Sequence, residues 1–131
     1  MNILVGKIIT AIYLSKDKCD IRFDIAEQDA PIIANSYGEC CSSTWIENVE
    51  NPEFAVDSVV ATAEEMELNK PAEENSEFDY LQFYGFKIET AKGTCVIDYR
   101  NSSNGYYGGS LIFPRDDDRP DTRKYEWDKI A

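Results

Sequence analysis

The sequence predicts an α+β domain built mainly from antiparallel β-sheet, formed by successive hairpins, with one or two short helices. Short segments rich in β-branched and aromatic residues alternate between apolar and polar side chains, and turn residues separate them. The length of 131 residues is enough for one domain and too short for two. We therefore expect a single domain over residues 1–131, with a core at 3–113 and a C-terminal arm or helix at 114–131.

The first half of the chain predicts three strands and one helix. Residues 3–14 and 19–25 alternate on either side of a polar turn, which is typical of a hairpin. Residues 32–37 form the third expected strand. Residues 42–50 combine hydroxyl side chains that can cap a helix, early acids and apolar residues at helical spacing, so we expect a short helix that ends before Pro52.

The second half predicts further strands and an ordered C-terminus. These strands are expected at residues 58–63, 80–90, 94–100 and 110–113. Residues 64–68 fit either a strand or a helix. Pro114 ends the last strand, and Pro120 in a first turn indicates a C-terminal helix or ordered arm over residues 121–130.

The charge balance and the lack of histidine restrict the function. Acids outnumber bases 25 to 13, which gives a net charge of -12, and the chain contains no histidine. Binding to nucleic acid or to an anionic membrane needs a surplus of Lys and Arg, so we expect neither. Without histidine the chain lacks the commonest general base and metal ligand. We expect a protein that is not an enzyme and that needs no metal or cofactor.

The cysteines predict a reduced, cytoplasmic protein. Cys40 and Cys41 are adjacent, and no CxxC spacing occurs, so the four cysteines form neither a disulfide nor a zinc framework. Cys19 and Cys95 lie in β-like segments, where a buried thiol is an ordinary core residue. No segment resembles a signal peptide or is apolar enough for a membrane span.

The most unusual stretch is residues 101–109, which contains three glycines, two asparagines and two adjacent tyrosines between predicted strands. Glycines allow close backbone approach, Asn and Ser supply short donors and acceptors, and tyrosine rings can stack. This composition suits a small polar aromatic ligand such as a nucleotide base with its ribose. A tight surface loop with half-buried tyrosines is the other interpretation. The candidate ligand contacts are Asn101, Ser103, Asn104, Tyr106 and Tyr107.

Four of the five arginines lie in the last third of the chain and are candidate phosphate contacts: Arg100, Arg115, Arg119 and Arg123. The planar guanidinium binds phosphate through two parallel hydrogen bonds. Acids at 116–118 and at Asp121 offer the alternative, in which these arginines form ion pairs on a solvated surface.

Two other segments carry weaker signals for chemistry. A thiolate at Cys40 or Cys41 would gain from the predicted helix that follows, but no histidine can act as its base, so a tight turn with Trp45 in the core is favoured. The acids at 116–118 lack the interleaved spacing of a calcium loop. We therefore expect neither catalysis nor metal binding at these positions.

The negative charge is concentrated in the middle of the chain. Residues 47–79 contain eleven acids and one base, Lys70, for a net charge of -10. Such a surface can mimic a phosphate backbone and occupy the basic groove of a nucleic-acid enzyme. A solvated acidic face is the simpler interpretation.

Three segments, residues 38–47, 84–90 and above all 99–109, resemble a family of small bacteriophage proteins with CCSSTW and YRNSSNGYYGG motifs. With the opening residues 4–7, the resemblance runs from about residue 4 to residue 113. The family includes the first family of Thoeris anti-defence proteins, which this chain resembles in size and pattern.

The resemblance implies a sponge that sequesters glycocyclic ADP-ribose, the signal made by bacterial TIR proteins, without cleaving it. It further implies a homo-oligomer, a dimer or a hexamer built from dimers, and separate sites for cyclic oligonucleotides of CBASS defence in some members. Asn101, Asn104 and Tyr107 are the implied ligand contacts. The C-terminal arginines resemble the family's phosphate-binding end in position and kind only, because the match fades past Phe113.

Two functions are therefore expected from the sequence. The first is a phage counter-defence protein in the host cytoplasm that binds and sequesters a cyclic nucleotide signal. The second is an acidic protein that mimics nucleic acid and inhibits a defence nuclease or a CRISPR complex through residues 47–79.

Overall fold

The computed structural model describes residues 2–38, 43–66, 73–74, 80–103, 109–114 and 126–131. For residues 37, 38, 43, 73, 74, 80–82, 103, 109 and 110 it describes the backbone alone.

Five strands form the first sheet: β1 (Ile9–Ser15), β2 (Asp20–Ile25), β3 (Ile32–Gly38), β9 (Gly109–Ile112) and β10 (Trp127–Lys129). They lie in the order β10-β1-β2-β3-β9, and every pair is antiparallel. The two hairpins β1–β2 and β2–β3 follow from the alternating segments near the N-terminus, whereas β9 and β10 join opposite edges from the far end of the chain.

The second sheet contains β4 (Ser43–Glu50), β5 (Thr62–Met66), β6 (Glu73–Glu74), β7 (Tyr80–Thr90) and β8 (Gly93–Ser103). Its order is β4-β8-β7-β5, with the short β6 also paired to β7. The longest pairing in the described part of the chain joins β7 and β8 from Tyr80↔Ser103 to Thr90↔Gly93.

The two sheets pack face to face around one apolar core. Alternate residues of each strand point inward, and Ile12, Phe23 and Ile97 are fully buried there. Phe113, which follows β9, stacks on Phe23 at 6.3 Å between ring centroids and lies 4.9 Å from Phe86 of the other sheet. The aromatic contacts therefore join the two layers.

Two hydrogen bonds also link the sheets at the end where β1 turns into β2. The backbone amide of Ile46 donates to the carbonyl of Lys18 over 2.7 Å. The Ser36 hydroxyl lies 3.1 Å from the carbonyl of Thr44 and 2.8 Å from that of Cys19. These contacts hold β4 against β3.

The structure confirms that the fold is mainly antiparallel β-sheet. The first hairpin, the strand at 32–37 and the long hairpin at 80–90 and 94–100 are all present. β8 continues to Ser103, so the first three residues of the expected loop at 101–109 are part of a strand.

The helix expected at residues 42–50 is wrong, because residues 43–50 form β4. The register shifts between Ile46 and Asn48, so that Glu47 is an extra residue in the strand. The shift places Ile46 and Val49, three residues apart, opposite Tyr99 and Ile97 on the same face. A β-bulge thus reproduces the spacing that indicated a helix.

At the two other places where a helix was one of two alternatives, the described residues adopt the non-helical alternative. β5 extends through Met66, and the described end of the chain forms the edge strand β10 beside β1 instead of a helix at 121–130. Residues 67–68 and 115–125 lie outside the described residues. Within the described ranges, helical structure is limited to one 3-10 turn at Pro52–Ala55.

Replacing Ile97 tests the shared core. Ile97 is fully buried, so Ile97→Ala should lower the free energy of unfolding by about 2–5 kcal/mol. Val59, which is 51% exposed, provides the control, and Val59→Ala should change stability by less than about 0.5 kcal/mol. Urea denaturation of both variants measures the difference. Equal effects would contradict the assignment of this core.

The turn between β1 and β2 should contribute a pH-dependent stability. Asp17 accepts hydrogen bonds from the Ser15 hydroxyl at 2.6 Å and from the Cys19 amide at 3.0 Å. These bonds, the Ser15 bond foremost, lower the pKa of Asp17 below its ordinary value of 3.8. The stabilisation is therefore complete above that value and is lost as pH falls through the lower, folded-state pKa.

We expect Asp17→Ala to be less stable than the wild type at neutral pH, with a difference that shrinks as the pH falls below 3.8. Urea unfolding across this pH range measures it. Ser15→Ala, which removes the main donor, should show the same trend. A difference independent of pH would argue against the role of the ionised carboxylate.

Candidate functional site

The structure describes two of the nine predicted site side chains, those of Arg100 and Asn101. For Ser103 it describes the backbone at the end of β8. The remaining predicted contacts lie outside the described residues: Asn104, Tyr106, Tyr107, Arg115, Arg119 and Arg123. The geometry of the site is therefore built from Arg100, Asn101 and the residues around them.

Arg100 and Asn101 point to opposite faces of the second sheet. Consecutive residues of a strand alternate between faces. Asn101 lies two residues after Tyr99, which faces inward and is 1% exposed, so Asn101 faces inward as well. Arg100 lies between Trp45 of β4 and Phe83 of β7 in the cross-strand register. The two predicted contacts are thus adjacent in sequence and do not line one surface.

On the outer face, Arg100 is surrounded by aromatic rings and acids. Its guanidinium lies 4.9 Å from the centroid of the Phe83 ring. It forms ion pairs with Glu47 at 3.8 Å and with Asp98 at 3.6 Å. Trp45 donates its indole N–H to Glu47 over 2.8 Å. The cluster thus contains two carboxylates and one guanidinium, and Arg100 Nε and Asp98 Oδ1 are buried in it without a hydrogen-bond partner.

On the inner face, Asn101 is completely buried and only partly hydrogen-bonded. Its Nδ2 donates to Thr44 Oγ1 over 2.9 Å, while Oδ1 has no hydrogen-bond partner among the described residues. Exchanging the amide oxygen and nitrogen would leave a buried donor unpaired instead. A buried polar atom without a partner costs about 1–3 kcal/mol, which marks Asn101 as a position where a further group can bind.

Two stacked tyrosines lie next to Asn101 on the same face. The Tyr84 and Tyr99 rings are 5.3 Å apart and nearly parallel. The Tyr99 hydroxyl donates to Glu65 Oε1 over 3.2 Å. Burial, followed by the nearby Glu65 carboxylate, raises the pKa of Tyr99 above its ordinary value of 10.0, so the hydroxyl remains a donor at neutral pH.

We call the surface formed by Thr44, Glu65, Tyr84, Tyr99 and Asn101 the inner end. Sequence reasoning selected Asn101 and missed the others as contacts. Alternation along residues 95–101 could have placed Tyr99 and Asn101 on one face. Thr44 was missed because its segment was expected to be a helix, and Glu65 because residues 64–68 fitted two structures.

The strand pairing brings together the two segments that stood out in the sequence. In the first sheet the register pairs Gly38 with Gly109, and in the second it pairs Ser43 with Ser102. The described ends of the two segments, residues 38 and 43 in the first and residues 102 and 109 in the second, are therefore paired with each other. The paired Gly38 and Gly109 carry no side chains at this position of the first sheet.

The described cysteines are not activated nucleophiles. Burial raises the pKa of Cys95 to about 12. Burial, followed by the negative charges of Asp17 and Asp20, also raises the pKa of Cys19. Both thiols therefore stay protonated at neutral pH. Cys40 and Cys41 lie outside the described residues.

The described part of the chain contains neither a metal-binding cluster of side chains nor a helix that could span a membrane. Its residues contain no cluster of three or more His, Cys, Asp or Glu side chains suited to hold a metal ion. Among the same residues, no helix has the length and apolar character needed to cross a membrane.

The fold and the inner end define a two-layered β-sandwich with a partly unsatisfied polar surface at one end. The model of one protein family, the domain of unknown function DUF7448, matches residues 2–113. The chain therefore belongs to the DUF7448 family. Comparisons with curated proteins and with solved structures gave no match.

The hydrogen bond between Asn101 and Thr44 can be tested by a double-mutant cycle. Thr44→Val removes the acceptor of Asn101 Nδ2, so both ends of a buried amide lose their partners and stability should fall by about 1–3 kcal/mol. Adding Asn101→Leu removes the unpaired amide, so the double variant should be more stable than Thr44→Val alone. Urea denaturation measures all four proteins, and strictly additive losses would contradict the contact.

Proposed function

We propose that this protein binds a small ligand of the cyclic nucleotide class, of the glycocyclic ADP-ribose type, and sequesters it without cleaving it. The observation that carries the proposal is the unpaired, fully buried Oδ1 of Asn101 at the inner end. A ligand that donates a hydrogen bond there would remove the cost of an unsatisfied buried acceptor.

The surroundings of Asn101 support an aromatic ligand. Tyr84 is half-buried beside Tyr99 and presents an aromatic ring at the inner end. The paired Gly38 and Gly109 leave the facing strand ends without side chains. The segments joined to these strands contain Asn104, Tyr106 and Tyr107, the remaining predicted contacts of the loop.

Sequestration requires binding and no chemical step. No histidine occurs in the chain, and the raised pKa values of Cys19 and Cys95 keep both described thiols protonated. The inner end thus offers hydrogen-bonding and stacking groups with no activated nucleophile among its described residues. This supports a binding protein over an enzyme.

The biological role in this proposal follows from the sequence resemblance to phage anti-defence proteins. The protein would act in the cytoplasm of the infected host, as a homo-oligomer, by removing the signal made by TIR proteins before it reaches its effector. Each captured ligand must be held at least as tightly as the effector holds it; a Kd of about 10 nM corresponds to about -11 kcal/mol. Arg115, Arg119 and Arg123 are the proposed phosphate contacts.

One observation favours the second function, an acidic inhibitor of a nuclease or CRISPR complex. Five acids share the outer face of the second sheet in the cross-strand register, where Lys87 and Arg100 are the described bases. These acids are Glu47, Glu50, Glu64, Glu89 and Asp98. A flat negative sheet face is complementary to a basic groove.

Ligand capture distinguishes the two functions. The protein is incubated with cyclic ADP-ribose isomers, washed and heated, and the released compound is identified by mass spectrometry. We expect intact ligand from the wild type and no ligand from Asn101→Leu, because leucine keeps the volume and removes the acceptor. Lys87→Met, on the outer face, should capture as the wild type does.

Three outcomes would change the assignment. If Arg100→Ala no longer captures the ligand and Asn101→Leu still does, the binding site is on the outer face of the second sheet. A cleaved product would make the protein an enzyme. Capture of a nuclease at low salt, with no small molecule retained, would favour the acidic inhibitor.

A further inference from the structure

Two oxygen atoms at the inner end, Asn101 Oδ1 and the second oxygen of the Glu65 carboxylate, can accept a further hydrogen bond. Asn101 Nδ2 already donates to Thr44, and the Tyr99 hydroxyl already donates to Glu65 Oε1. Asn101 Oδ1 has no partner among the described residues. The second oxygen of the Glu65 carboxylate, on an exposed residue, can accept as well. A ligand that pairs with either of these two oxygens must therefore supply a donor.

The inner end is also unsuited to phosphate. The described inner-face residues around it are Ser36, Thr44, Ile46, Glu65, Tyr84, Tyr99, Asn101 and Leu111. None of them is Lys or Arg, and Glu65 is negative. Arg100 lies on the opposite face, where Glu47 and Asp98 neutralise it. A phosphate bound at the inner end would lose its water and lie beside the negative Glu65 carboxylate. None of the described residues there carries a positive charge to balance it.

We propose that the inner end selects the base of the ligand, a planar ring carrying exocyclic N–H donors such as an amino-substituted purine, and leaves its phosphates outside. This inference rests on the proposed function and names the part of the ligand that enters. Asn101 Oδ1 accepts from the amino group, and the Tyr84 ring packs against the base. The phosphates are then held by residues other than those of the inner end.

Binding of phosphate-free nucleosides to the full chain tests the inference. Titration calorimetry compares adenosine with purine riboside, which lacks only the 6-amino group, and uses inorganic pyrophosphate as the phosphate probe. We expect adenosine to bind, and purine riboside to bind at least about tenfold more weakly. Without the 6-amino group, Asn101 Oδ1 stays buried and unpaired in the complex. Pyrophosphate should not compete with adenosine.

Two variants connect this discrimination to the named residues. Asn101→Leu should bind adenosine and purine riboside equally weakly. Circular dichroism first checks that Asn101→Leu folds, because this variant removes a buried polar group. Glu65→Gln, at an exposed position, supplies a second measurement. Glutamine keeps an oxygen that can accept from the Tyr99 hydroxyl and leaves Asn101 unchanged, so Glu65→Gln should still bind adenosine more tightly than purine riboside. Equal binding of the two nucleosides in this variant would contradict the role of Asn101.

The results separate this inference from the proposed function. Equal binding of the two nucleosides, no nucleoside binding at all, or competition by pyrophosphate in the wild type would each overturn the inference. Capture of cyclic ADP-ribose in the same preparation would then leave the proposed function standing. Discrimination between the nucleosides without any capture of the cyclic ligand would support the inference and overturn the proposed function.

Discussion

The alternation of side chains along β8 is the constraint on which the core and the candidate site both depend. β8 is paired along both edges, with β4 and β7. A slip of one residue would expose Ile97 and Tyr99 and bury Asp98 and Arg100. The burial of the apolar residues therefore determines that Asn101 faces inward and that Arg100 faces outward. The chemistry at the end of the strand follows from the packing of residues before it.

The same constraint distributes the charge of the protein. The outward positions of the second sheet hold most of its described acids, and two of them, Glu47 and Asp98, neutralise Arg100. Inside the sandwich, Thr44 and Asn101 form a buried hydrogen bond, and only Asn101 Oδ1 of this pair is left without a partner. The net charge of -12 thus describes the outer surface of the molecule and says little about the uncharged groups that surround Asn101.

Local patterns predicted the hairpins well and the helices badly. Residues 80–90 and 94–100 are rich in aromatic and β-branched residues on either side of a short turn, so the long hairpin could be found from the sequence. Residues 42–50 could not, because the bulge at Glu47 puts Ile46 and Val49 on one face of a strand and so imitates a helix. Asn101 was identified as a candidate, but its partner Thr44 is 57 residues away in the chain, and no local signal joins them.

The sequence by itself determined the antiparallel sheet character, the main turns and the lack of histidine chemistry, because these depend on residue type and on spacing between near neighbours. The tertiary structure decided which face the described side chains occupy and that Gly38 pairs with Gly109 and Ser43 with Ser102. It did so because β3 pairs with β9 and β4 with β8. Such pairings are stabilised by burial shared among distant strands, and a local propensity cannot specify them.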